Sequence, residues 1–333
     1  MAIRVAVNGF GRIGRAFVRR SYGRDIEIVA VNDLGSLENL AYLLKYDTVY
    51  GRAPFSVEAK EGALFVDGKE VKFFSEKDPA LLPWKDLNID VVIESTGFFT
   101  EYEKAQAHIT AGAKRVVISA PAKGSGGETV LMGVNEEKLQ SCQISSNASC
   151  TTNATSPIIA ILDAALGIEK AILSTTHAYT ASQSIVDGPA KKDMREGRAA
   201  AQNIVPTATG AALAVAQVYA SLEGKFDGIS LRVPVPAGSI ADITFIAKRA
   251  TSKEEVNEIL RKAGTLPHWE GIFRATDEQL VSSDIVGEAC ASIADLSMTR
   301  VVDGNLVKVL AWYDNEMGYT ESLVRHAIAA SHA

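Results

Sequence analysis

The sequence predicts an α/β protein in which a domain with a parallel sheet is followed by an α+β domain with a mainly antiparallel sheet. Two observations lead to this prediction. Strand-like and helix-like runs alternate through the first half of the chain, which is typical of a parallel sheet covered by helices. The strands of the second half are longer and alternate apolar with polar residues, as in an antiparallel sheet with one face in solvent.

In the first half, the hydrophobic periods predict β and α elements in strict succession. The strands are expected at residues 3–8, 26–32, 90–94 and 115–119, and the helices at 13–22, 37–46 and 101–111. Residues 53–74 do not follow this alternation of strands and helices. Their short alternating runs are broken at Glu61-Gly62 and Asp67-Gly68, which predicts inserted antiparallel hairpins.

The second half has a different character from Cys150 onwards, and we place the domain boundary there, between residues 1–149 and 150–315. Strands are expected at 171–176, 228–235, 240–248 and 306–314, and helices at 210–221, 253–263 and 321–331. Residues 181–203 are polar with little periodicity. A loop of this length inside a compact domain is usually functional.

Composition excludes several classes of protein. The chain of 333 residues is 47% hydrophobic and 22% charged, as in a globular enzyme of about two domains. No apolar run approaches the roughly 20 residues of a membrane span. A net charge of −6 argues against nucleic acid as the primary partner.

The cysteines and the N-terminus predict a compartment. Three cysteines, Cys142, Cys150 and Cys290, are too few for a disulfide framework, and Met1 leads directly into a strand without a signal peptide. We therefore expect the cytoplasm. No paired Cys or His spacing typical of a metal site occurs, so no metal is expected.

A glycine motif indicates a dinucleotide site. Gly9, Gly11 and Gly14 form G-x-G-x-x-G between a strand and a helix, and Asp33 follows 19 residues after Gly14 at the end of the next strand. The glycines permit a tight turn and close approach of a pyrophosphate to the helix N-terminus. A carboxylate at Asp33 can accept bonds from ribose hydroxyls and would repel a 2′-phosphate. The motif predicts a Rossmann-type domain that binds NAD.

A cysteine in polar surroundings indicates a nucleophile. Cys150 lies among hydroxyl and amide side chains, whereas a structural thiol packs among apolar ones. His177 follows in a predicted strand, and the two would form a thiol–imidazole pair if folding brings them together. We expect His177, and a helix N-terminus if one lies there, to lower the thiol pKa. Ser156-Pro157 predicts either a helix that starts after Cys150 or an earlier helix that bends at Pro157.

These motifs resemble those of phosphorylating glyceraldehyde-3-phosphate dehydrogenases, over essentially the full length of the chain. The matching segments are NGFGRIGR at 8–15, ESTG at 94–97, SNASCTTN at 146–153 and WYDNE at 312–316. The resemblance implies NAD-dependent oxidation of D-glyceraldehyde 3-phosphate to 1,3-bisphosphoglycerate, in glycolysis or gluconeogenesis. Cys150 would form a hemithioacetal and then a thioester, with His177 as the base.

The resemblance also implies binding roles and an assembly. The cofactor residues would be Gly9, Gly11, Arg12, Ile13, Gly14, Asp33, Lys77, Thr96, Ser119 and Asn315. The substrate phosphate would be held by Thr180, Ser182 and Arg232, and inorganic phosphate by Ser149, Thr151, Arg195, Thr209 and Gly210. The implied assembly is a homotetramer in which loop 181–203 crosses to a neighbouring subunit. The C-terminal helix, about 316–333, would return to the cofactor domain.

Three alternatives remain compatible with these residues. An erythrose-4-phosphate dehydrogenase would hydrolyse its thioester, and an acyl-phosphate reductase would share the thiol and the cofactor fold. A non-catalytic NAD-binding regulator would need neither Cys150 nor His177. One departure from the family concerns Ala154, which stands where many members carry a second cysteine. Oxidation of Cys150 is therefore expected to give a sulfenic acid or a mixed disulfide.

Overall fold

The computed structural model describes residues 2–190 and 193–333. The chain divides into two compact units, unit 1 (Met1–Ala148 with Thr320–Ala333) and unit 2 (Ser149–Tyr319). The helices in chain order are α1 (Arg12–Ser21), α2 (Leu37–Lys45), α3 (Tyr102–Thr110), α4 (Cys150–Leu166), α5 (Ala211–Val218), α6 (Lys253–Ala263) and α7 (Met317–His332). None of those in the described ranges has the length and apolar surface that crossing a membrane requires.

Unit 1 is built on a sheet whose core strands are parallel. The strands of this unit are β1 (Ile3–Asn8), β2 (Ile26–Asn32), β3 (Tyr46–Asp47), β4 (Gly51–Arg52), β5 (Val57–Lys60), β6 (Ala63–Val66), β7 (Lys69–Phe74), β8 (Val91–Glu94), β9 (Arg115–Ile118), β10 (Glu128–Thr129) and β11 (Ile144–Ser146). The main sheet has the order β10-β11-β9-β8-β1-β2-β7-β6-β5. Its central strands pair in parallel, which confirms the Rossmann-type prediction.

Strand β1 lies in the centre because it has no polar face. Val5, Ala6 and Val7 are all fully buried, as expected for a parallel strand covered by helices on both sides. The predicted hairpins are present as β5, β6 and β7, with a left-handed turn at Asp67 (φ 46°) and Gly68 (φ 73°). Strand β7 also pairs in parallel with β2, so the hairpins extend the main sheet.

Unit 2 contains a mainly antiparallel sheet, as predicted. Its strands are β12 (Ile168–Ala178), β13 (Val205–Ala208), β14 (Phe226–Val233), β15 (Ser239–Ala247), β16 (Phe273–Thr276), β17 (Ser292–Val302) and β18 (Leu306–Tyr313), in the order β13-β14-β12-β15-β18-β17-β16. Pairs β12–β14 and β16–β17 are parallel. Strand β17 was not predicted from the sequence, although it is one of the longest strands.

Helix α7 is attached to α1 through a buried carboxylate. The Glu321 side chain is only 3% exposed, and Arg24 binds both of its oxygens at 2.8 and 2.7 Å. Arg20 donates to Oε2 at 2.6 Å, and Arg325 on the same helix donates at 3.1 Å. Burial opposes ionisation of this carboxyl, but the bonds and charges of Arg24 and Arg20 outweigh it, so the pKa of Glu321 lies below its ordinary value.

A buried histidine on α7 fixes the segment after β11. His326 is fully buried, with Nδ1 3.0 Å from Asn147 Oδ1 and Nε2 2.7 Å from Ser145 Oγ. Since the amide oxygen only accepts, Nδ1 carries the hydrogen and Nε2 accepts from the serine hydroxyl. Burial lowers the pKa of His326 to about 3, so the ring is neutral at pH 7.

We expect Glu321→Gln to lower the free energy of unfolding by about 2 kcal/mol at pH 7, because it removes charge-assisted bonds to three arginines. Since the folded-state pKa is depressed, this contribution is present above the ordinary carboxyl pKa and is lost as pH falls through the folded value. Urea unfolding of both proteins between pH 3 and 7 tests it, and the difference should shrink towards acid.

The matched control is Glu27→Gln, which removes an ion pair with Arg4 whose side chains are 53% and 36% exposed. An exposed pair contributes about 0–1 kcal/mol, so this change should have little effect at any pH. Equal losses in the two variants would contradict the role assigned to Glu321.

Candidate active site

A cavity of about 510 Å³ opens at the carboxyl ends of β1, β2 and β8 in unit 1. Five of the predicted cofactor residues line it, namely Gly9, Gly11, Asp33, Lys77 and Thr96. Ligands of open α/β sheets bind at this edge, where the strand order reverses. Here β1 is followed in the chain by β2 on one side, while β8 lies on its other side.

The glycines leave room at this edge. Gly9 has φ +93°, and a Cβ there would lie 2.5 Å from the amide nitrogen of Thr96. A Cβ at Gly14 would lie 2.2 Å from the Gly9 carbonyl oxygen, so only glycine lets α1 begin this close to the turn. Gly11 is the residue before α1, and the space beside it is open. The free N–H groups of the helix start can therefore be approached by a phosphate.

Asp33 is held in place by backbone donors. Its Oδ2 accepts from the Phe10 N–H at 2.7 Å, and its Oδ1 accepts from the Gly35 N–H at 2.8 Å. A carboxylate has about four acceptor positions. Each oxygen of Asp33 therefore keeps capacity for a further donor, such as a ribose hydroxyl.

The other predicted cofactor residues lie outside the lining of this cavity. Arg12 is paired with Asp47 at 2.6 Å, and Ile13, Gly14 and Ser119 are likewise not part of the lining. Asn315 belongs to unit 2, where its Oδ1 accepts from Ser239 Oγ at 2.9 Å. The lining also includes residues that the sequence analysis missed or did not assign to cofactor binding, namely Asn8, Asn32, Leu34, Glu76, Ser95, Phe98 and Phe99. The aromatic pair directly after ESTG was the signal available for the last two.

In unit 2, Cys150 is the first residue of α4. Ser149 is the N-cap, and its Oγ accepts from the Thr152 N–H at 3.1 Å. Pro157 lies inside the helix. The alternative in which the helix starts at Pro157 is therefore wrong, and the thiol does lie at a helix N-terminus. The Ser149 cap stabilises the earlier start because it satisfies an N–H of the first turn.

The structure brings three predicted site residues together. Cys150 Sγ lies 3.3 Å from His177 Nε2, within the range of a sulfur hydrogen bond. Strands β12 and β14 pair in parallel with His177 opposite Arg232, and Arg232 Nη1 lies 2.5 Å from His177 Nδ1. The Ala178 carbonyl oxygen lies 2.7 Å from the same nitrogen. Nδ1 therefore faces an acceptor, the Ala178 carbonyl, and a donor, Arg232, which pairs with it only when Nδ1 carries no hydrogen. In the tautomer that donates to Ala178 through Nδ1, Nε2 remains an acceptor for the thiol proton.

The pKa of the Cys150 thiol differs from the value expected from the sequence. Burial is the main influence on the Cys150 thiol and raises its pKa, although the Arg232 charge and the Thr151 N–H act in the opposite direction. Burial and the Arg232 charge lower the pKa of His177 to about 3. The expected lowering of the thiol pKa is therefore wrong. His177 is a neutral base at pH 7, and it cannot provide the positive charge that would stabilise a thiolate.

Tyr313, at the end of β18, contacts both α4, which carries Cys150, and β12, which carries His177, and it was not predicted as a site residue. Its hydroxyl lies 2.8 Å from Thr151 Oγ1 on α4 and 2.8 Å from Thr175 Oγ1 on β12. Its ring packs edge-on against His177, with centroids 5.9 Å apart. Tyr313 therefore ties the first turn of α4 to the strand that carries the histidine.

The remaining predicted phosphate residues lie in local turns. Thr180 Oγ1 is 3.1 Å from Ser182 Oγ, and the Gln183 amide closes their turn by accepting from the Thr180 N–H at 3.1 Å. Arg195 is paired with Asp193 at 2.7 Å. Two further predicted residues, Thr209 and Gly210, precede α5, and the Thr209 hydroxyl accepts from the Ala211 N–H.

Two family models match the chain. One is described as glyceraldehyde 3-phosphate dehydrogenase, NAD binding domain, over residues 3–102, and the other as glyceraldehyde 3-phosphate dehydrogenase, C-terminal domain, over 149–315. The chain belongs to the glyceraldehyde 3-phosphate dehydrogenase family.

Curated members of this family resemble the chain over nearly their whole length. It is 50% identical over 328 residues to glyceraldehyde-3-phosphate dehydrogenase 2 of Streptomyces avermitilis, which covers 97% of both chains. It is 50% identical to the glyceraldehyde-3-phosphate dehydrogenase of Streptomyces coelicolor, again covering 97% of both chains. For the enzyme of Clostridium pasteurianum the identity is 48%, over 97% of this chain and 96% of the relative.

Like the other members of its family, the chain is an NAD-dependent oxidoreductase that binds a substrate. The cavity of unit 1 fits the dinucleotide: glycines leave backbone exposed at a helix start, and Asp33 keeps acceptor capacity. Across the described parts of the chain, no cluster of His, Cys, Asp or Glu side chains is arranged to hold a metal ion.

We expect Arg232→Gln to slow alkylation of Cys150 by neutral iodoacetamide several-fold at pH 7. The positive charge of Arg232 acts to lower the pKa of the thiol. Without it the thiolate forms at higher pH, so the alkylation rate should begin to increase only at higher pH. The measurement is the alkylation rate between pH 6 and 10. Arg249→Gln, at an exposed pair with Glu255, is the control and should leave the profile unchanged. An unaltered profile for Arg232→Gln would disprove the electrostatic coupling.

Proposed function

We propose that this protein oxidises D-glyceraldehyde 3-phosphate with inorganic phosphate to 1,3-bisphosphoglycerate, through a covalent intermediate on Cys150. The observation that carries the proposal is the 3.3 Å separation of Cys150 Sγ from His177 Nε2, with the histidine neutral. A neutral imidazole beside a thiol can accept its proton as the sulfur attacks a carbonyl carbon.

The chemistry proceeds in three steps at the sulfur. The thiol adds to the aldehyde carbon, and His177 accepts the thiol proton and passes it to the carbonyl oxygen, which becomes the hydroxyl of a hemithioacetal. His177 next removes the hydroxyl proton as a hydride leaves the same carbon, which gives a thioester. NAD, when bound, supplies the acceptor for that hydride. A phosphate oxygen then attacks the thioester carbon, the C–S bond breaks, and the thiolate leaves with an acyl phosphate as the product.

Arg232 is proposed to hold the substrate phosphate together with Thr180 and Ser182. Its guanidinium has a buried Nε that makes no hydrogen bond within the protein, which leaves a donor for a ligand. A dianionic phosphate at Arg232 would offset the positive charge that lowers the pKa of His177. Substrate binding would therefore strengthen the base at the moment when the thiol must lose its proton.

The attacking phosphate is proposed to bind near the start of α4 and α5. The proposed ligands are Ser149, Thr151, Arg195, Thr209 and Gly210. Ser149 and Thr151 flank the thiol in the first turn of α4, where N–H groups and the helix dipole favour an anion. Arg195 would have to leave Asp193 to take part.

We assign catalysis to unit 2 and cofactor binding to these residues of unit 1: Gly9, Gly11, Arg12, Ile13, Gly14, Asp33, Lys77, Thr96 and Ser119. Asn315, in unit 2, is the remaining proposed cofactor residue. We also propose a homotetramer in the cytoplasm. Large apolar side chains on and beside loop 181–203 are 68–90% exposed, as expected of a surface that a second copy covers: Ile185, Val186, Met194 and Ile204. Lys191 and Lys192 of this loop lie outside the described residues. Cys142, Cys150 and Cys290 form no disulfide with one another, as expected of a reducing compartment.

The test of the proposed reaction is NADH formation from D-glyceraldehyde 3-phosphate with and without inorganic phosphate. Turnover should require phosphate, because release of the product needs phosphate as the nucleophile. Equal turnover without phosphate would indicate hydrolysis of the thioester, as in an erythrose-4-phosphate dehydrogenase. Cys150→Ser should abolish NADH formation while NAD binding stays within a few-fold, and the control Cys142→Ser should keep both. Normal turnover of Cys150→Ser would exclude the mechanism.

Asp33→Ala should lower the ratio of kcat/KM for NAD to kcat/KM for NADP by about tenfold or more, since it removes a carboxylate that would face the 2′-phosphate. The measurement is the ratio of kcat/KM for the two cofactors. Asp86→Ala, at an exposed position elsewhere in the same unit, serves as the control. A ratio that does not change in Asp33→Ala would assign the selectivity to other residues.

A further inference from the structure

A buried polar network lies beneath the cofactor cavity, and the proposed mechanism does not use it. At its centre are Glu94, at the end of β8, and His108 on α3, with exposures of 2% and 0%. Glu94 Oε2 lies 3.0 Å from His108 Nε2. Polar groups are buried at a cost unless they are paired, so a carboxylate in this position needs several donors.

The hydrogen position on His108 follows from its neighbour. Trp84 Nε1 lies 3.0 Å from His108 Nδ1, and an indole nitrogen can only donate. Nδ1 must therefore accept, and the hydrogen of the neutral ring lies on Nε2. His108 thus donates to Glu94.

The opposite end of the network is fixed by backbone. The Glu76 N–H donates to Asn32 Oδ1 at 2.8 Å, which identifies the oxygen of that amide. Asn32 Nδ2 then donates to Asn8 Oδ1 at 2.7 Å, and Asn8 Nδ2 donates to Glu94 Oε2 at 2.6 Å. The donors from both ends therefore meet at Glu94, which acts only as an acceptor.

Thr96 connects this network to the cavity. Glu94 Oε1 accepts from the Thr96 N–H at 2.8 Å and from the Thr96 hydroxyl at 2.5 Å. A hydroxyl has one hydrogen, and here that hydrogen is already donated. The Phe98 N–H occupies one acceptor position of Thr96 Oγ1 at 3.1 Å. What Thr96 can offer the cavity is an acceptor.

We propose that His108 is a positioning residue for the cofactor site, which acts through Glu94 to fix Thr96 as a hydrogen-bond acceptor. Thr96 then selects a donor on the dinucleotide, such as a ribose hydroxyl or an amide N–H, and does not bind a phosphate oxygen. This inference rests on the proposal that Thr96 contacts NAD.

The experiment compares the dissociation constant of NAD by calorimetry in variants of the full chain. His108→Leu leaves the carboxylate short of a donor, and NAD should bind about tenfold more weakly. His108→Gln can accept from Trp84 and donate to Glu94, so it should restore affinity towards wild type. Thr96→Val should weaken NAD as His108→Leu does, and Thr96→Ser should not. Alkylation of Cys150 should be unchanged in all four.

Leu82→Ala is the matched control for loss of packing, since Leu82 lies in the same core cluster as Trp84 but has no polar group. It should lower the melting temperature without changing the affinity for NAD. Equal weakening of NAD by Leu82→Ala and His108→Leu would overturn the proposal in favour of simple packing, and so would wild-type affinity in His108→Leu. If His108→Leu does not fold, the NAD affinities of His108→Gln, Thr96→Val and Thr96→Ser test the proposal.

Failure of the proposed contact between Thr96 and NAD can be distinguished from failure of the reaction proposed at Cys150. Unchanged NAD affinity in Thr96→Val would overturn this inference by removing the contact on which it depends. Phosphate-dependent turnover by the wild-type protein would still support the chemistry proposed for Cys150.

Discussion

The register between β12 and β14 is the constraint on which the candidate active site depends. It sets His177 directly opposite Arg232, so one guanidinium influences both the imidazole and the thiol beside it. A slip of one residue would turn the histidine to the other face of the sheet. Strand β18 then adds Tyr313 at the same edge, and α4 presents Cys150 from its first turn. The chemistry thus follows from how a mixed sheet aligns its strands.

Much of the fold was accessible from the sequence because its signals are local. The alternation of apolar strands and amphipathic helices predicts the parallel sheet of unit 1. The glycine at position 9 predicts the turn there, because only glycine readily adopts the positive φ that the turn requires. Cys150 was inferred to be a nucleophile from its sequence neighbours, which are hydroxyl and amide side chains, whereas a structural thiol packs among apolar ones. In each case the residue type has only a few physical explanations.

The features that could not be predicted depend on distant partners. Tyr313 reads as an ordinary strand residue until folding places its hydroxyl between two threonines. His108 shows no motif, and its orientation is set by Trp84, which is 24 residues away in the chain. The direction of the thiol pKa was wrong because burial outweighs the nearby charge, and burial is a property of the whole fold.

Unit 1 is formed by two segments that are far apart in the chain, and this affects how it can fold during translation. Residues 149–319 must leave the ribosome before Thr320–Ala333 can join the first 148 residues, a delay of about 10–30 s at ordinary translation rates. Until then, Arg20 and Arg24 lack Glu321, and Ser145 and Asn147 lack His326. The nascent cofactor unit is therefore incomplete while the second unit can already fold as a continuous segment. Truncation before Thr320 would remove Glu321 and His326 and extend that incomplete state to the finished protein.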